Sequence, residues 1–271
     1  MTLNNQPIQF CLAGANGKMG REVIKALPSW RGIQLVSAVG LRSAGKNLQE
    51  LLGKSAPSLI ISSNLKDALQ NTHAKILLDL TEPSSAFKNA LSAIELHVAP
   101  LIGTSGLQSS ELKELELASQ RSGIPVMVIP NFSIGANLGL EFSQLASKWL
   151  PNVEIIEIHH EQKQDAPSGT AIETAKVIHA SRTQPSNIPE TKYVKISGSR
   201  GGKYLDVPIH SIRLNGVLAQ QIVLFGGLGE TLEIKHTAID RSTYMGGIEL
   251  SLRSILSKKG MSVGLQSILE K

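Results

Sequence analysis

The sequence predicts an α/β protein: a Rossmann-type, doubly wound parallel sheet with an inserted α+β domain. Three observations predict it. Over the first 130 residues, short continuous apolar runs alternate with helix-patterned stretches. That is the pattern of a parallel sheet covered on both faces. A glycine-rich turn, GANGKMG at 14–20, joins the first apolar run to the first helix. After residue 131 the texture changes to a long helix and then to alternating strands.

Each element has a local reason. IQFCLAG (8–14) is a compact apolar run ending on glycine and reads as the first strand. REVIKAL (21–27) sets Val23, Ile24 and Leu27 at helical spacing. IQLVSAVG (33–40) reads as a second buried strand, and NLQELLG (47–53) as a short helix stopped by Gly53. SLIISS, KILLDLT, HVAPLIGTSG and IPVMVIPNF supply further strands. DALQNT, SSAFKNALSAIELH and SSELKELELASQRSG supply the helices between them. Next come the helix IGANLGLEFSQLASKWL (134–150), the strand VEIIEIHH (153–160) and the helix SGTAIETAKVIHASR (168–182). SNIPETK (186–192) reads as loop. KYLDVPIHSIRL, GVLAQQIVLFG and ETLEIKHTAI read as an antiparallel or mixed sheet. The tail TYMGGIELSLRSILSKK (243–259) is helical, with Ile248, Leu252 and Ile255 on one face. The expected plan is a dinucleotide-binding domain at 1–131 and a substrate-binding and oligomerisation domain at 132–241. A C-terminal helical segment at 242–271 is expected to return to the first domain.

Composition narrows the function classes. The chain has 271 residues, 41% of them hydrophobic, and a net charge of +5. Its mean hydropathy is +0.02. These values fit a globular protein and exclude a disordered one. A chain of this length buries about three quarters of its unfolded surface and needs no staple. The single cysteine, Cys11, excludes a disulfide framework and fits a reducing compartment. No stretch reaches the roughly 18 apolar residues of a membrane helix. The N-terminus lacks a basic leader, so a cytoplasmic location is expected. Positive charge is spread along the chain, with no basic cluster or recognition motif for nucleic acid.

Two segments carry chemistry. In the glycine turn, Gly14, Gly17 and Gly20 would let the backbone approach a pyrophosphate, with a helix N-terminus behind it. The spacing is G-x-x-G-x-x-G, and a plain strand-to-helix turn is the competing reading. The second strand ends SAVGLRSAGK, with Gly40 where an acid would bind a ribose 2′-hydroxyl. No acid lies between Gly32 and Gln49. Arg42, with Lys18 and Lys46, would instead neutralise a 2′-phosphate, which predicts a preference for NADPH over NADH. The alternative is that Arg42 is a solvated loop residue. At later strand ends, Thr81, Pro83, Gly103, Thr104 and Ser105 would line the nicotinamide half.

The second segment is EIIEIHHEQKQDAPSGTAIETA (154–175). His159 and His160 close a strand, and both can face a site only if the strand ends or bulges there. Lys163, Asp165 and Pro167 follow, and Ser168, Gly169 and Thr170 open a helix whose N-terminus favours a carboxylate or phosphate. Histidine, lysine and helix start together suit an anionic substrate that must gain a proton. The competing reading is a structural loop. A metal site is disfavoured, since the spacing is not H-E-x-x-H and no cysteine supports it. His73, His97, His179, His210 and His236 read as structural.

The motifs GANGKMGR, DLTEPSS, IGTSGL, IPNFSIGANL and EIIEIHHEQKQDAPSGTA resemble, in order and spacing, those of the 4-hydroxy-tetrahydrodipicolinate (dihydrodipicolinate) reductase family. The resemblance covers nearly the whole chain, including GLGETLEIKHTAIDRSTYMGGI. It implies NAD(P)H-dependent reduction of a cyclic dicarboxylic imine in lysine and diaminopimelate biosynthesis. Hydride would go to C4 of the substrate with loss of water. His159 would be the proton donor or acceptor and Lys163 the proton donor. His160 and the helix start at Ser168, Gly169 and Thr170 would bind the dicarboxylate. The cofactor would be lined by Gly14, Ala15, Asn16, Gly17, Lys18 and Met19. It would also meet the Gly103-Thr104-Ser105 turn and the run Ile129, Pro130, Asn131 and Phe132. Asn131 and Phe132 would mark the hinge into the substrate domain. A homotetramer joined through the inserted domain's sheet is implied too. The segment HSIRLNGVLAQQIVLF (210–225) departs from the family there, at Ala219, Gln220, Gln221 and Ile222. Three other readings are a reductase of a different amino-dicarboxylate, a non-catalytic dinucleotide sensor and a nucleic-acid binder. The first two have no need of the HHEQKQDAPSGTA segment, and the third rests only on net charge.

Overall fold

The computed structural model describes residues 6–269. The leader reading above falls partly on residues 1–5, outside that range. The chain forms two compact units. One runs up to Ser133 and resumes at Tyr244, and the other is Ile134–Thr243.

The first unit begins β1 (Ile8–Ala13), α1 (Lys18–Ala26), β2 (Ile33–Val39), α2 (Leu48–Leu52), β3 (Ile61–Ser62) and α3 (Leu65–Gln70). It continues β4 (Ile76–Asp79), α4 (Pro83–Glu95), β5 (Ala99–Ile102), α5 (Ser109–Ser122) and β6 (Val126–Val128). Phe10 to Ala13, Ile76 to Leu78 and Val126 to Val128 are buried, as unbroken apolar strands between two helix layers must be. Alanines 86, 90 and 93 give α4 a small-residue face toward the core. Cys11 is part of this interior, where burial pushes its thiol up to about 12. Helix α1 starts three residues before REVIKAL, with Lys18, Met19 and Gly20 forming its first turn.

The tail differs from the all-helical reading. After α8 (Met245–Ser254) it forms β12 (Met261–Val263) and α9 (Gln266–Leu269). β12 pairs parallel with β6, giving a seven-stranded parallel sheet ordered β12-β6-β5-β4-β1-β2-β3. Three residues carry too little periodicity to be read as a strand.

The second unit contains α6 (Ile134–Ser147), β7 (Asn152–His159), α7 (Gly169–Ser181), β8 (Gly202–Tyr204), β9 (Val207–Arg213), β10 (Ala219–Gly227) and β11 (Glu230–Ala238). The sheet is mixed, ordered β11-β10-β7-β9-β8, with β7 and β9 parallel and the other pairs antiparallel. KYLDVPIHSIRL is a hairpin and not one strand. It turns at Leu205, whose φ is 55°. Val153, Ile155, Val207, Ile209, Val223 and Phe225 pack against Ala171, Ala175 and Ile178 of α7.

Candidate active site

In the first unit, the segments expected to hold the cofactor all follow the carboxyl ends of parallel strands. That edge is where doubly wound sheets bind ligands. Main-chain bonds stitch it together: Gly14 N–H to Val39 O at 3.0 Å, Gly103 N–H to Asp79 O at 2.8 Å and Ile129 N–H to Ile102 O at 2.8 Å. Gly14 turns the chain at φ 82°. A Cβ at Gly20 would stand 2.3 Å from the Gly14 carbonyl oxygen, so this close turn requires glycine. Helix α1 has no side-chain cap at Gly17 and no acid in its first turn. Its positive end is therefore left for an anion. These features fit a dinucleotide pyrophosphate.

Asn16 in the glycine turn donates to Ser43 Oγ, beside Arg42. Lys18, Arg42 and Lys46 are exposed, and among the described residues no acidic side chain forms an ion pair with them. At the end of β4, Asp79 is wholly buried. It accepts from Thr81 N–H at 2.8 Å, Thr81 Oγ1 at 2.5 Å and Asn89 Nδ2 at 2.7 Å. The turn bearing Thr81 and Pro83 is thus braced by a fully satisfied carboxylate. In the turn after β5, Thr104 is half-buried and Ser105 exposed, while Ile129 and Phe132 are buried. Asn131 accepts from Ser133 N–H at 2.9 Å, at the last residue of this unit.

In the second unit, β7 ends at His159, which frees His160 from strand alternation. Lys163 N–H bonds His160 O at 3.1 Å and closes a turn. Lys163 Nζ lies 2.8 and 3.0 Å from the Asp165 carboxylate oxygens. That ammonium, helped by the Arg213 charge, holds the Asp165 carboxyl below its usual range. Ser168 caps α7, with Oγ accepting from Ala171 N–H at 3.2 Å. Gly169 faces open space, since a Cβ there would meet nothing within 4 Å. His159, His160, Lys163 and the α7 start therefore follow one another from the end of β7 through one short turn into α7. His179 and His210 pair with Asp206 and Glu154, both at 2.6 Å, as structural histidines do.

Two groups beneath His159 escaped the sequence reading. Glu157 is wholly buried and its carboxylate meets His159 Nδ1. Arg213 reaches the same carboxylate at 3.0 Å. Burial pushes the Glu157 carboxyl up, but hydrogen bonds from His159, Ser211 and Arg213 outweigh it and hold the group below its ordinary value. A carboxylate in the buried phase of an apolar strand was the available signal for Glu157. The Arg213 partnership depends on strand register and left none.

The family models for the N-terminus and C-terminus of dihydrodipicolinate reductase match residues 8–132 and 135–269. A 4-hydroxy-tetrahydrodipicolinate reductase from Syntrophomonas wolfei is 41% identical over 266 residues, covering 97% of this chain and 99% of the relative. One from Desulfitobacterium hafniense is 42% identical over 264 residues, with 97% and 99% covered. The dipicolinate-bound dihydrodipicolinate reductase of Paenisporosarcina sp. TG-14 superposes with a TM-score of 0.86 at 33% identity, covering 97% of this chain and 100% of that one. Matched in both halves and along nearly its whole length, this chain belongs to the dihydrodipicolinate reductase family.

Proposed function

We propose that this chain reduces 4-hydroxy-tetrahydrodipicolinate to tetrahydrodipicolinate in lysine and diaminopimelate biosynthesis, using NADPH in preference to NADH. The observation that carries the reading is the grouping of His159, His160, Lys163 and the α7 start. It offers a cation, titratable imidazoles and helix N–H groups to one small dicarboxylate. The dipicolinate held by the relative from Paenisporosarcina is a ligand of that chemistry.

When bound, the reduced nicotinamide supplies the hydride. Gly14, Ala15, Asn16, Gly17, Lys18 and Met19 hold its pyrophosphate, and the segments 103–105 and 129–132 line the rest. Arg42 and Lys18 neutralise a 2′-phosphate, which is why NADPH is favoured. His160, Ser168, Gly169 and Thr170 bind the substrate carboxylates. Lys163 would give a proton from Nζ to the hydroxyl that leaves C4 as water, and its charge draws the dicarboxylate in. His159 would take a proton from the carbon beside C4 and return it once the hydride has added, so one hydride and one proton are consumed in all.

The same reading carries a cytoplasmic homotetramer joined through the sheet of the second unit. One face of that sheet bears Ile156 opposite Ile222 and Ile158 opposite Ile212, all half-exposed or exposed. Light scattering after gel filtration tests the assembly. The reaction is tested by coupling the chain to dihydrodipicolinate synthase and following nicotinamide absorbance with each cofactor. Oxidation that needs the synthase product and runs faster with NADPH supports the proposal. No oxidation with either cofactor refutes it.

A further inference from the structure

Glu157 and Arg213 have no part in the scheme above, yet their geometry is organised around its two proton-handling residues. Glu157 and His159 are two residues apart on β7, so their side chains share a face. It is the face on which Val153 and Ile155 are buried. Arg213 stands opposite His159 in the β7–β9 register. Its Nη1 and Nη2 each lie 3.0 Å from Glu157 Oε1, and Nη1 lies 3.2 Å from Oε2. The guanidinium does not stop there. Nη2 donates to the Asp165 carbonyl at 2.6 Å, and Nη1 to the Ile212 carbonyl at 2.8 Å. Asp165 in turn holds Lys163. One arginine therefore ties together the carboxylate behind His159 and the loop bearing Lys163.

The chemistry of this chain of contacts is directional. An ionised carboxylate only accepts hydrogen bonds, and a guanidinium only donates them. His159 Nδ1 must then carry the proton that faces Glu157. The bond made by one ring nitrogen fixes the role of the other, so Nε2 is the nitrogen left for substrate. The planar fork of Arg213 sets the carboxylate's orientation in a way a point charge cannot. The other residue paired with His159 across the sheet is Ala219, which carries no charge.

We propose that Glu157 and Arg213 are positioning residues for the reductase reaction. Glu157 holds the His159 ring with Nε2 presented to substrate, and Arg213 locks Glu157 while anchoring the loop of Lys163. The inference rests on the reductase reading for its kinetic arm alone.

Nitrogen NMR of ring-labelled protein, with His159→Asn to assign the signal, reads the tautomer without turnover. Recorded above the ring's titration, the wild-type signal is expected to be that of the Nδ1-protonated form. Glu157→Gln should shift it toward a mixture of tautomers. The same variant should lower kcat about tenfold to a hundredfold, a range typical of lost ligand-orienting partners, with NADPH affinity unchanged. Arg213→Lys keeps the charge but loses the fork. It should lower kcat and also raise the substrate KM, because the Asp165 tie goes with it. An Nε2-protonated ring in the wild type overturns the proposal even where Glu157→Gln does not fold. So does wild-type kcat in folded Glu157→Gln, or unchanged kcat and KM in Arg213→Lys. Failure of the wild type to reduce the synthase product sinks the reductase reading instead, and leaves the tautomer result to judge Glu157.

Discussion

Replacing Gly20 by alanine isolates the contribution of the glycine turn to cofactor binding. The added methyl carbon would stand 2.3 Å from the Gly14 carbonyl oxygen and 2.7 Å from that of Ala15. Real Cβ atoms essentially never come within 3.0 Å of a neighbour, so the turn must withdraw by at least 0.7 Å, the difference between 3.0 and 2.3. Both obstructing atoms are backbone, so no side chain can swing away. Forcing a methyl into a packed site costs roughly 1–3 kcal/mol. If that strain falls on the loop proposed to cradle the pyrophosphate, it weakens NADPH by about 5- to 150-fold, at 1.4 kcal/mol per factor of ten. Fluorescence titration of NADPH gives the affinity, and a thermal melt shows how much of the strain is spent on stability. Gly139→Ala is the control, because a Cβ there meets only Ile234 at an ordinary 3.8 Å. Wild-type NADPH affinity in folded Gly20→Ala would refute the role given to this turn.

Four other outcomes follow from the same geometry. His159→Gln should lower kcat by about 10²- to 10⁴-fold, the usual worth of a general acid or base, while NADPH affinity stays within twofold or so of wild type; equal losses in both would count against a proton-transfer role. Arg42→Ala should weaken NADPH and leave NADH untouched, so a parallel loss of both cofactors contradicts the 2′-phosphate contact. Stability should fall with acid in two stages. Burial lowers His236 below 6.5, so the unfolded chain takes up its proton first and stability is lost as pH drops through about 6.5. Hydrogen bonds and charge hold Glu154 and Glu157, against burial, below the usual 4.5, so their contribution is present above that value and fades below it; melting temperatures that stay flat over this span would contradict both assignments. Cys11 should resist thiol reagents until the chain unfolds, since burial holds its thiol at about 12, and rapid labelling of the native protein would speak against it.

What could be read from the sequence was local. The run IQFCLAG followed by three spaced glycines specified the strand, turn and helix between Ile8 and Ala26. His159, Lys163 and the Ser168 cap were legible because one short segment holds them all. The partners of His159 are different in kind. Arg213 is 56 residues from Glu157 along the chain, and they meet only because β7 and β9 pair in a particular register. Asp79 was hidden for a related reason, since one of its three bonds comes from Asn89 in α4, ten residues further on. The strand β12 and the hairpin at Leu205 rest on tertiary pairing and one left-handed residue, neither of which leaves a periodic signal.

In the function proposed for this chain, the turn after β7 and the start of α7 form a dicarboxylate site built on Lys163. Calorimetric titration of dipicolinate into the NADPH-loaded protein and its Lys163→Ala variant tests it most directly. Loss of a charge-assisted hydrogen bond worth about 1.5–3 kcal/mol predicts roughly 10- to 150-fold weaker binding in the variant. Equal affinity in the two proteins would contradict the claim.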